Sequence, residues 1–428
     1  MSLKSAQEIK IIFFLVVIMT FTVQCSGNKN SSNTNNADST DAGSLSSLEF
    51  VKTMGAGWNL GNTLDAHWNR ARPWISNPSP AQIETLWGNP VTTKAMINFL
   101  KEEGFTTIRI PVTWYIFTGQ APDYIIDSRW MDRVQEVVDY VIDNGMFCIL
   151  NAHHEDYVSG SNYENGWFRL YDREEDRALD DSEKERINSR FAKIWAQIAE
   201  RFKNYSEYLI FEGINEPRTE GLNNISYQMY EEQNRFLNEL LQTFINTVRD
   251  SGGKNYDRHL MVTPYFASVG MSLSDSDGRI RSFLDRNARK LRVTDPRDRL
   301  IVSLHYYEPW GFVTAPDDSQ WHSWYFDMDV GSVSSNINNV YRIIRENFIL
   351  YGIPVIMGET GAIRRIMPDG NSNDAERVKW AQYYISGLKQ MGVPVIIWDD
   401  GGMFKLFDRS ALRWEYPEIA AAIVNASK

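Results

Sequence analysis

Two stretches of this chain end in groups that could do chemistry. Tyr208-Leu209-Ile210-Phe211-Glu212-Gly213-Ile214-Asn215-Glu216-Pro217-Arg218 begins as a short apolar run and closes with an amide, a carboxylic acid and a proline. Proline cannot donate to a sheet ladder, so Pro217 stops the strand and leaves Asn215 and Glu216 at its C-terminal tip. Pro354-Val355-Ile356-Met357-Gly358-Glu359-Thr360-Gly361 is a second apolar run closed by a glutamate. In a parallel α/β sheet or barrel, that edge carries the chemistry. One glutamate after one strand is ordinarily a solvated loop carboxylate. Two carboxylic acids at two strand ends are the pair that glycoside hydrolysis uses.

The elements that must position them follow one repeated pattern: an amphipathic helix, a glycine, then a short apolar strand. It occurs at Glu103-Gly104-Phe105, Asn144-Gly145-Met146, Ser251-Gly252-Gly253, Tyr351-Gly352-Ile353 and Met391-Gly392-Val393. Glycine just past a helix end accepts the left-handed conformation that closes it. Strands are expected near 54–59, 106–111, 147–152, 208–213, 259–263, 300–304, 354–358 and 394–398. Helical spacing fills the gaps, as in Val134/Val138/Val141/Ile142, Ile187/Phe191/Ile194/Ile198/Phe202, Phe236/Leu240/Phe244/Val248 and Val340/Ile343/Ile344/Ile349. Ser182 and Glu185 read as a capping box, and Asn373 with Glu376 as a further cap. The helix between the fifth and sixth strands has the weakest pattern. Strands alternating with helices eight times argue for one closed (β/α)8 barrel, an α/β fold, in place of an open doubly wound sheet. No glycine-rich phosphate loop follows any strand, which sets nucleotides and dinucleotides aside.

In a barrel the polar residues closing the strands line one pocket. Here they are Asn59 to Asp65, Arg109, Asn151-Ala152-His153-His154-Glu155, Asn215-Glu216, His305-Tyr306-Tyr307, Glu359 and Trp398-Asp399-Asp400. Each has an ordinary structural explanation taken singly; their joint placement points to a site. His153 and His154 invite a metal reading, but adjacent residues of a strand face opposite ways, and the helical i, i+4 histidine pair of metal hydrolases is missing.

Composition narrows the partners. A net charge of −11 argues against nucleic acid and suits a neutral polymer. Fourteen tryptophans serve either a core or flat sugar platforms; Trp68, Trp74, Trp87, Trp114, Trp167, Trp310, Trp321 and Trp324 fall mostly in loops after strands. Two cysteines make no disulfide framework, and Cys148, within an apolar run, reads as a small core residue. Lys4 and Lys10 precede the apolar run Ile11 to Met19, the layout of a secretory signal and short for a membrane span. Cys25 stands where lipoprotein processing would modify it, although Gln24 replaces the small residue usual before such a cysteine. Residues 26–47 are a Ser/Asn-rich spacer with almost nothing apolar, leaving 48–428 as the folded body. The expectation is an exported monomer of a Gram-negative cell envelope, touching membrane only through a lipid on Cys25.

The motif Ile210-Phe211-Glu212-Gly213-Ile214-Asn215-Glu216-Pro217 resembles the signature of glycoside hydrolase family 5, the cellulase family of barrel clan A. Gly57 to Ala66, Arg109, Asn151 to Glu155, His305-Tyr306-Tyr307 and Gly358-Glu359 occur in that family's order, and together cover nearly all of 50–400. The opening Gly61-Asn62-Thr63-Leu64-Asp65-Ala66 and closing Trp398-Asp399-Asp400-Gly401-Gly402 are similar to subfamily 4, endo-β-1,4-glucanases many of which act on xyloglucan and mixed-linkage glucan. Ile397-Trp398-Asp399-Asp400 departs from the subfamily's frequent Trp-Trp-Asp-Asn.

The resemblance implies a retaining double displacement with carboxyl groups about 5 Å apart. Glu216 is then the general acid and base, its proton held by the neighbouring carboxylate and an enclosed site. Glu359 is the nucleophile, kept ionised by Arg109 and oriented by Tyr307. Asn215 binds the sugar 2-hydroxyl, His153 and His305 bind sugar and the glutamates, Trp398 forms the platform under the ring, and Asn59 and His154 line the non-reducing side. Glu212, earlier in its strand, is structural, paired with an arginine inside the barrel. No metal or cofactor enters the scheme. The same machinery on mannan or xylan, and a non-catalytic glycan-binding lipoprotein, remain as alternatives; a dead relative usually loses one glutamate, and both are here.

Overall fold

Each strand run is short and apolar on both faces, which suits a parallel sheet covered by helices. The computed structural model describes residues 45–68, 75–156, 166–219, 226–269, 291–314, 325–326 and 333–428. The signal, Cys25, most of the spacer, Trp74, Trp321, Trp324 and most of the segment between the fifth and sixth strands lie outside the described residues. Strands β1 (Gly57–Leu60), β2 (Thr107–Ile110), β3 (Phe147–Asn151), β4 (Leu209–Glu212), β5 (Leu260–Val262), β6 (Leu300–Tyr306), β7 (Val355–Thr360) and β8 (Val395–Asp399) pair in chain order and close, β8 on β1, into a barrel. Every pairing is parallel. The (β/α)8 expectation is met strand for strand, with β6 and β7 each running two residues beyond the sequence estimate.

Alternation along each strand sorts the side chains. Trp58, Ile108, Cys148, Leu150, Leu209 and Phe211 face outward into the shell of helices, whereas Phe147, Ile149, Ile210, Met261, Ile301, Ile356 and Ile396 fill the interior. The same parity turns Arg109, Asn151 and Glu212 inward above that apolar layer, and all three are fully buried. Helix α1 (Ser47–Lys52) inserts Phe50 and Val51 into the interior cluster and so closes the N-terminal end of the barrel. Ser46 caps it in a capping box with Glu49, so the folded body starts inside the stretch read as spacer. Cys148 is a buried free thiol, as expected.

Two caps differ from expectation. The box on helix Asp181–Phe202 is made by Asp180 and Glu183, not by Ser182 and Glu185, because the chain becomes helical two residues earlier than the serine suggests. Asn373 does precede helix Asp374–Gln390, but its side chain accepts from Arg365 N at 2.7 Å in place of capping.

Candidate active site

The C-terminal ends of the strands form one cleft of about 550 Å³, lined among others by His153, His154, Asn215, Glu216, Phe266, His305, Tyr307, Trp310, Glu359 and Trp398. Sequence reasoning therefore assembled most of the wall from residues up to 245 positions apart in the chain (His153 and Trp398).

Charge in the floor is organised by Arg109. Its guanidinium donates to Glu212 Oε2 at 2.7 Å, to Glu359 Oε1 at 2.6 Å, to Asn59 Oδ1 at 3.0 Å and to Asn215 Oδ1 at 2.8 Å. A planar fork with fixed donors can hold four acceptors in set positions; a lysine could not. Glu212 is the structural partner anticipated. It also accepts from Ser303 Oγ at 2.5 Å and Asn151 Nδ2 at 3.1 Å, so a fully buried carboxylate is met on both oxygens. Asn215, with its amide oxygen held by Arg109, keeps its NH2 group as the donor available to a sugar hydroxyl.

The two glutamates meet across His305. His305 Nδ1 lies 2.9 Å from Glu216 Oε1 and 3.6 Å from Glu359 Oε2. The carboxylates and this nitrogen all fall within 4.8 Å of one another. Tyr307 donates to Glu359 Oε2 at 3.2 Å. Glu359 reaches this point because of a bulge. Ile356 faces the interior, and three residues on, simple alternation would turn Glu359 outward. The β6–β7 register slips so that Leu304 pairs with Met357 but His305 with Glu359, leaving Gly358 as the extra residue.

His153 is buried, with Nδ1 3.1 Å from Asn151 Nδ2 and Nε2 4.0 Å from Glu359 Oε1; its ring lies parallel to that of Trp398 at 5.9 Å between centroids. His154 packs its ring 4.9 Å from that of His67 and stands in the cleft wall. Burial depresses both histidines well below their ordinary range, so both rings are neutral. Asp65, His153 and His154 bring one ligand atom each within 4.8 Å, but both Asp65 oxygens already accept backbone N–H groups, from Thr63 at 2.7 Å and Asn62 at 3.1 Å.

Asn59 is a correction. It was expected to line the cleft, yet it is fully buried, donating to Gly358 O at 2.9 Å while accepting from Arg109. Its place within β1, and not beyond its end, turns it into the barrel floor, where it ties Arg109 to the glycine before the nucleophile candidate. Among the loop tryptophans, Trp114 and Trp68 are core, Trp167 donates to Glu155 Oε2 at 2.6 Å, and Trp310 stands 55 % exposed in the cleft wall.

The protonation pattern also departs from expectation. Burial acts to raise Glu216, but the hydrogen bond and charge of His305, then Arg218, outweigh it and hold this carboxyl down to about 2. Burial raises Glu359, and His305 and Arg109 offset this only in part. The reason is local: His305 Nδ1 hydrogen-bonds Glu216 but stands 3.6 Å from Glu359, Arg218 adds its Nη1 2.8 Å from Glu216 Oε2, and Glu212 already neutralises much of Arg109. Arg218 was given no role from the sequence although it closes the stretch that begins at Tyr208; its partner ring, Phe266, carries no sequence signal at all.

The comparisons agree with this geometry. The sequence matches the family Cellulase (glycosyl hydrolase family 5) over residues 73–403. It is 37 % identical to Endoglucanase A of Ruminococcus albus over 391 residues, covering 90 % of this chain and 93 % of that one. Among solved structures, a GH5-4 broad specificity endoglucanase from Ruminococcus champanellensis with bound cellotriose superposes with a TM-score of 0.74 at 38 % identity, covering 89 % of this chain and 98 % of the other. A GH5 xyloglucan-specific endo-β-1,4-glucanase from a metagenomic library, in complex with cellotriose, gives 0.69 at 33 % identity, over 88 % and 98 % of the two chains. A closed eightfold barrel, two glutamates facing each other across a histidine at its C-terminal mouth, and a match over most of its length make this chain a member of glycoside hydrolase family 5, the cellulase family.

Proposed function

We propose that the protein is a retaining endo-β-1,4-glucanase acting on cell-wall glucans, whether cellulose-type, mixed-linkage or xyloglucan. The observation that carries this is the separation of the two carboxylates, with oxygens of Glu216 and Glu359 within 4.8 Å. Inverting enzymes keep their carboxyl groups roughly 6.5–9.5 Å apart to admit a water, whereas about 5–5.5 Å lets one carboxylate attack directly. The open cleft and its exposed Trp310 suit a chain passing through, as endo cleavage requires.

Glu359, held by Arg109 and Tyr307, attacks the anomeric carbon while Glu216 gives a proton to the departing oxygen. Glu216 then takes a proton from water, and that water releases the sugar from Glu359. This assignment follows chain order in the family, acid/base after β4 and nucleophile on β7. A sugar chain lying over Glu216 strips water from it and raises its proton affinity, the direction the first step needs. Asn215 presents its NH2 to the 2-hydroxyl, Trp398 lies under the ring, and His153 and His154 bind on the wall.

The test is release of reducing ends from carboxymethyl-cellulose, mixed-linkage glucan, xyloglucan, mannan and xylan, with Glu359→Gln as control. Release from glucans that the control loses is the expected result. Release from mannan or xylan alone keeps the mechanism and overturns the substrate. No release from any, by a folded protein that binds glucan, overturns the enzyme itself.

A further inference from the structure

Beside His305, the acid/base carboxylate has a cationic neighbour for which the double displacement, as described above, has no use. Arg218 donates from Nη1 to Glu216 Oε2 at 2.8 Å, while His305 takes the other oxygen at 2.9 Å. The guanidinium is itself fixed from behind: its Cζ sits 4.0 Å from the centroid of the Phe266 ring. Phe266 holds a left-handed backbone (φ 59°, ψ 20°), and its N–H donates to Pro217 O at 3.0 Å. A phenylalanine pays to adopt that conformation, and such residues gather where surrounding structure forces them for a purpose. The loop after β5 is thus pinned to the strand end that carries Glu216, with the arginine clamped between ring and carboxylate. An ordinary ion pair between mobile surface side chains contributes little. This one is roofed by an aromatic face, with side chains only 29 % and 23 % exposed.

We propose that Arg218, seated on Phe266, is the positioning residue for the acid/base Glu216: it fixes the carboxyl rotamer and biases it toward the ionised, proton-accepting form. This rests on the glycosidase reading above. Its chemical meaning is a bias between the two steps. An ionised Glu216 is what the second step needs, to take a proton from the attacking water; the first step needs the same group protonated. A fixed cation at Oε2 favours the former and sets an upper pH limit on the latter. The other charged or titratable groups that act on Glu216 are His305 on β6, Tyr307 just after it, Glu359 from β7 and His154 after β3. Of these, Glu359 is the nucleophile itself, Tyr307 donates to it, and His305 touches both glutamates. Arg218 donates to Glu216 Oε2.

Two variants separate charge from shape. Arg218→Met keeps the stem and removes the charge; Arg218→Lys keeps the charge and loses the planar seat on Phe266. The pH dependence of kcat/KM is measured on a cello-oligosaccharide, whose departure needs a proton, and on 2,4-dinitrophenyl β-cellobioside, whose departure does not. In Arg218→Met the alkaline limb for the oligosaccharide moves up by on the order of one pH unit. The plateau falls about tenfold as the rotamer loosens, and the dinitrophenyl substrate changes far less. Arg218→Lys leaves the limb near its native place. An unmoved limb, with equal losses on both substrates, makes Arg218 merely structural and overturns the proposal. A readout without turnover stands beside this. In the Glu359→Gln background, 13C-carboxyl-labelled glutamate follows the titration of Glu216 by NMR, and its midpoint rises when Arg218 becomes Met. A midpoint that stays put overturns the proposal even if the protein hydrolyses nothing. Native protein inactive on every glucan, with that midpoint shifted, overturns the function and leaves the Arg218–Glu216 coupling standing.

Discussion

At the floor of the cleft, Arg109 shares one positive charge between Glu212 and Glu359. Glu212 therefore governs how much of that charge Glu359 feels. Glu212→Gln removes a fully buried anion that accepts from Arg109, Ser303 and Asn151. Two effects follow. Urea unfolding should show a loss of about 3 kcal/mol, the usual consequence of breaking a buried pair on one side. In the fraction that folds, Arg109 belongs to Glu359 alone, so Glu359 ionises more readily and the acidic limb of kcat/KM moves to lower pH. A limb that moves up, or not at all, would show that Glu212 does not share the charge. That Glu212 is structural and meets an arginine inside the barrel was legible in the sequence; that the arginine is Arg109, across β3 on β2, was not. Asn59 was not, because an amide near a strand end looks the same whether it faces sugar or the barrel floor.

At the scale of the element, β7 depends on one residue without a side chain. A Cβ at Gly358 would lie 2.8 Å from Ser303 Oγ and 3.2 Å from His305 Nε2. The bulge can form there because backbone and histidine approach so closely. Gly358→Ala should therefore push His305 and Glu359 apart by a fraction of an ångström. Displacements of that order in a catalytic pair cost about 10²-fold in rate. The expected outcome is a kcat near one hundredth of native with a melting temperature only slightly lower, measured on the same glucan. A large thermal loss with normal kcat in the folded fraction would place the glycine's role in the core. The sequence marked Glu359 as a strand-end carboxylate, but simple alternation from Ile356 points it the wrong way. The pairing with β6 supplied the missing residue.

For the molecule as a whole, the end opposite the cleft is sealed by α1, and His259 is part of the seal. Its ring stacks on Phe50 at 3.9 Å between centroids; Nδ1 lies 2.8 Å from Ser47 Oγ and Nε2 3.2 Å from Arg299 Nη1. A neutral ring satisfies both contacts, donating to the serine and accepting from the arginine. Burial, with Arg299, Arg249 and Arg258 nearby, pulls this histidine from 6.5 down to about 3. The unfolded chain takes up a proton near pH 6.5, and the folded one resists until about pH 3. Stability therefore falls as pH drops through that window, by on the order of 3 kcal/mol from this group. His259→Gln should flatten the slope of unfolding free energy between pH 6.5 and 4 relative to native; parallel slopes would remove His259 from the account. By itself the sequence determined the eight strands, the barrel they imply, and the two glutamates at its mouth. Those follow from local causes: the period of apolar residues, glycine after a helix, proline after a strand. Only the tertiary structure decided that Asn59 turns into the floor, that a bulge brings Glu359 round to His305, and that Arg218 and Phe266 clamp Glu216. These depend on registers and contacts between segments far apart in the chain, and no local pattern encodes which neighbour a side chain will meet.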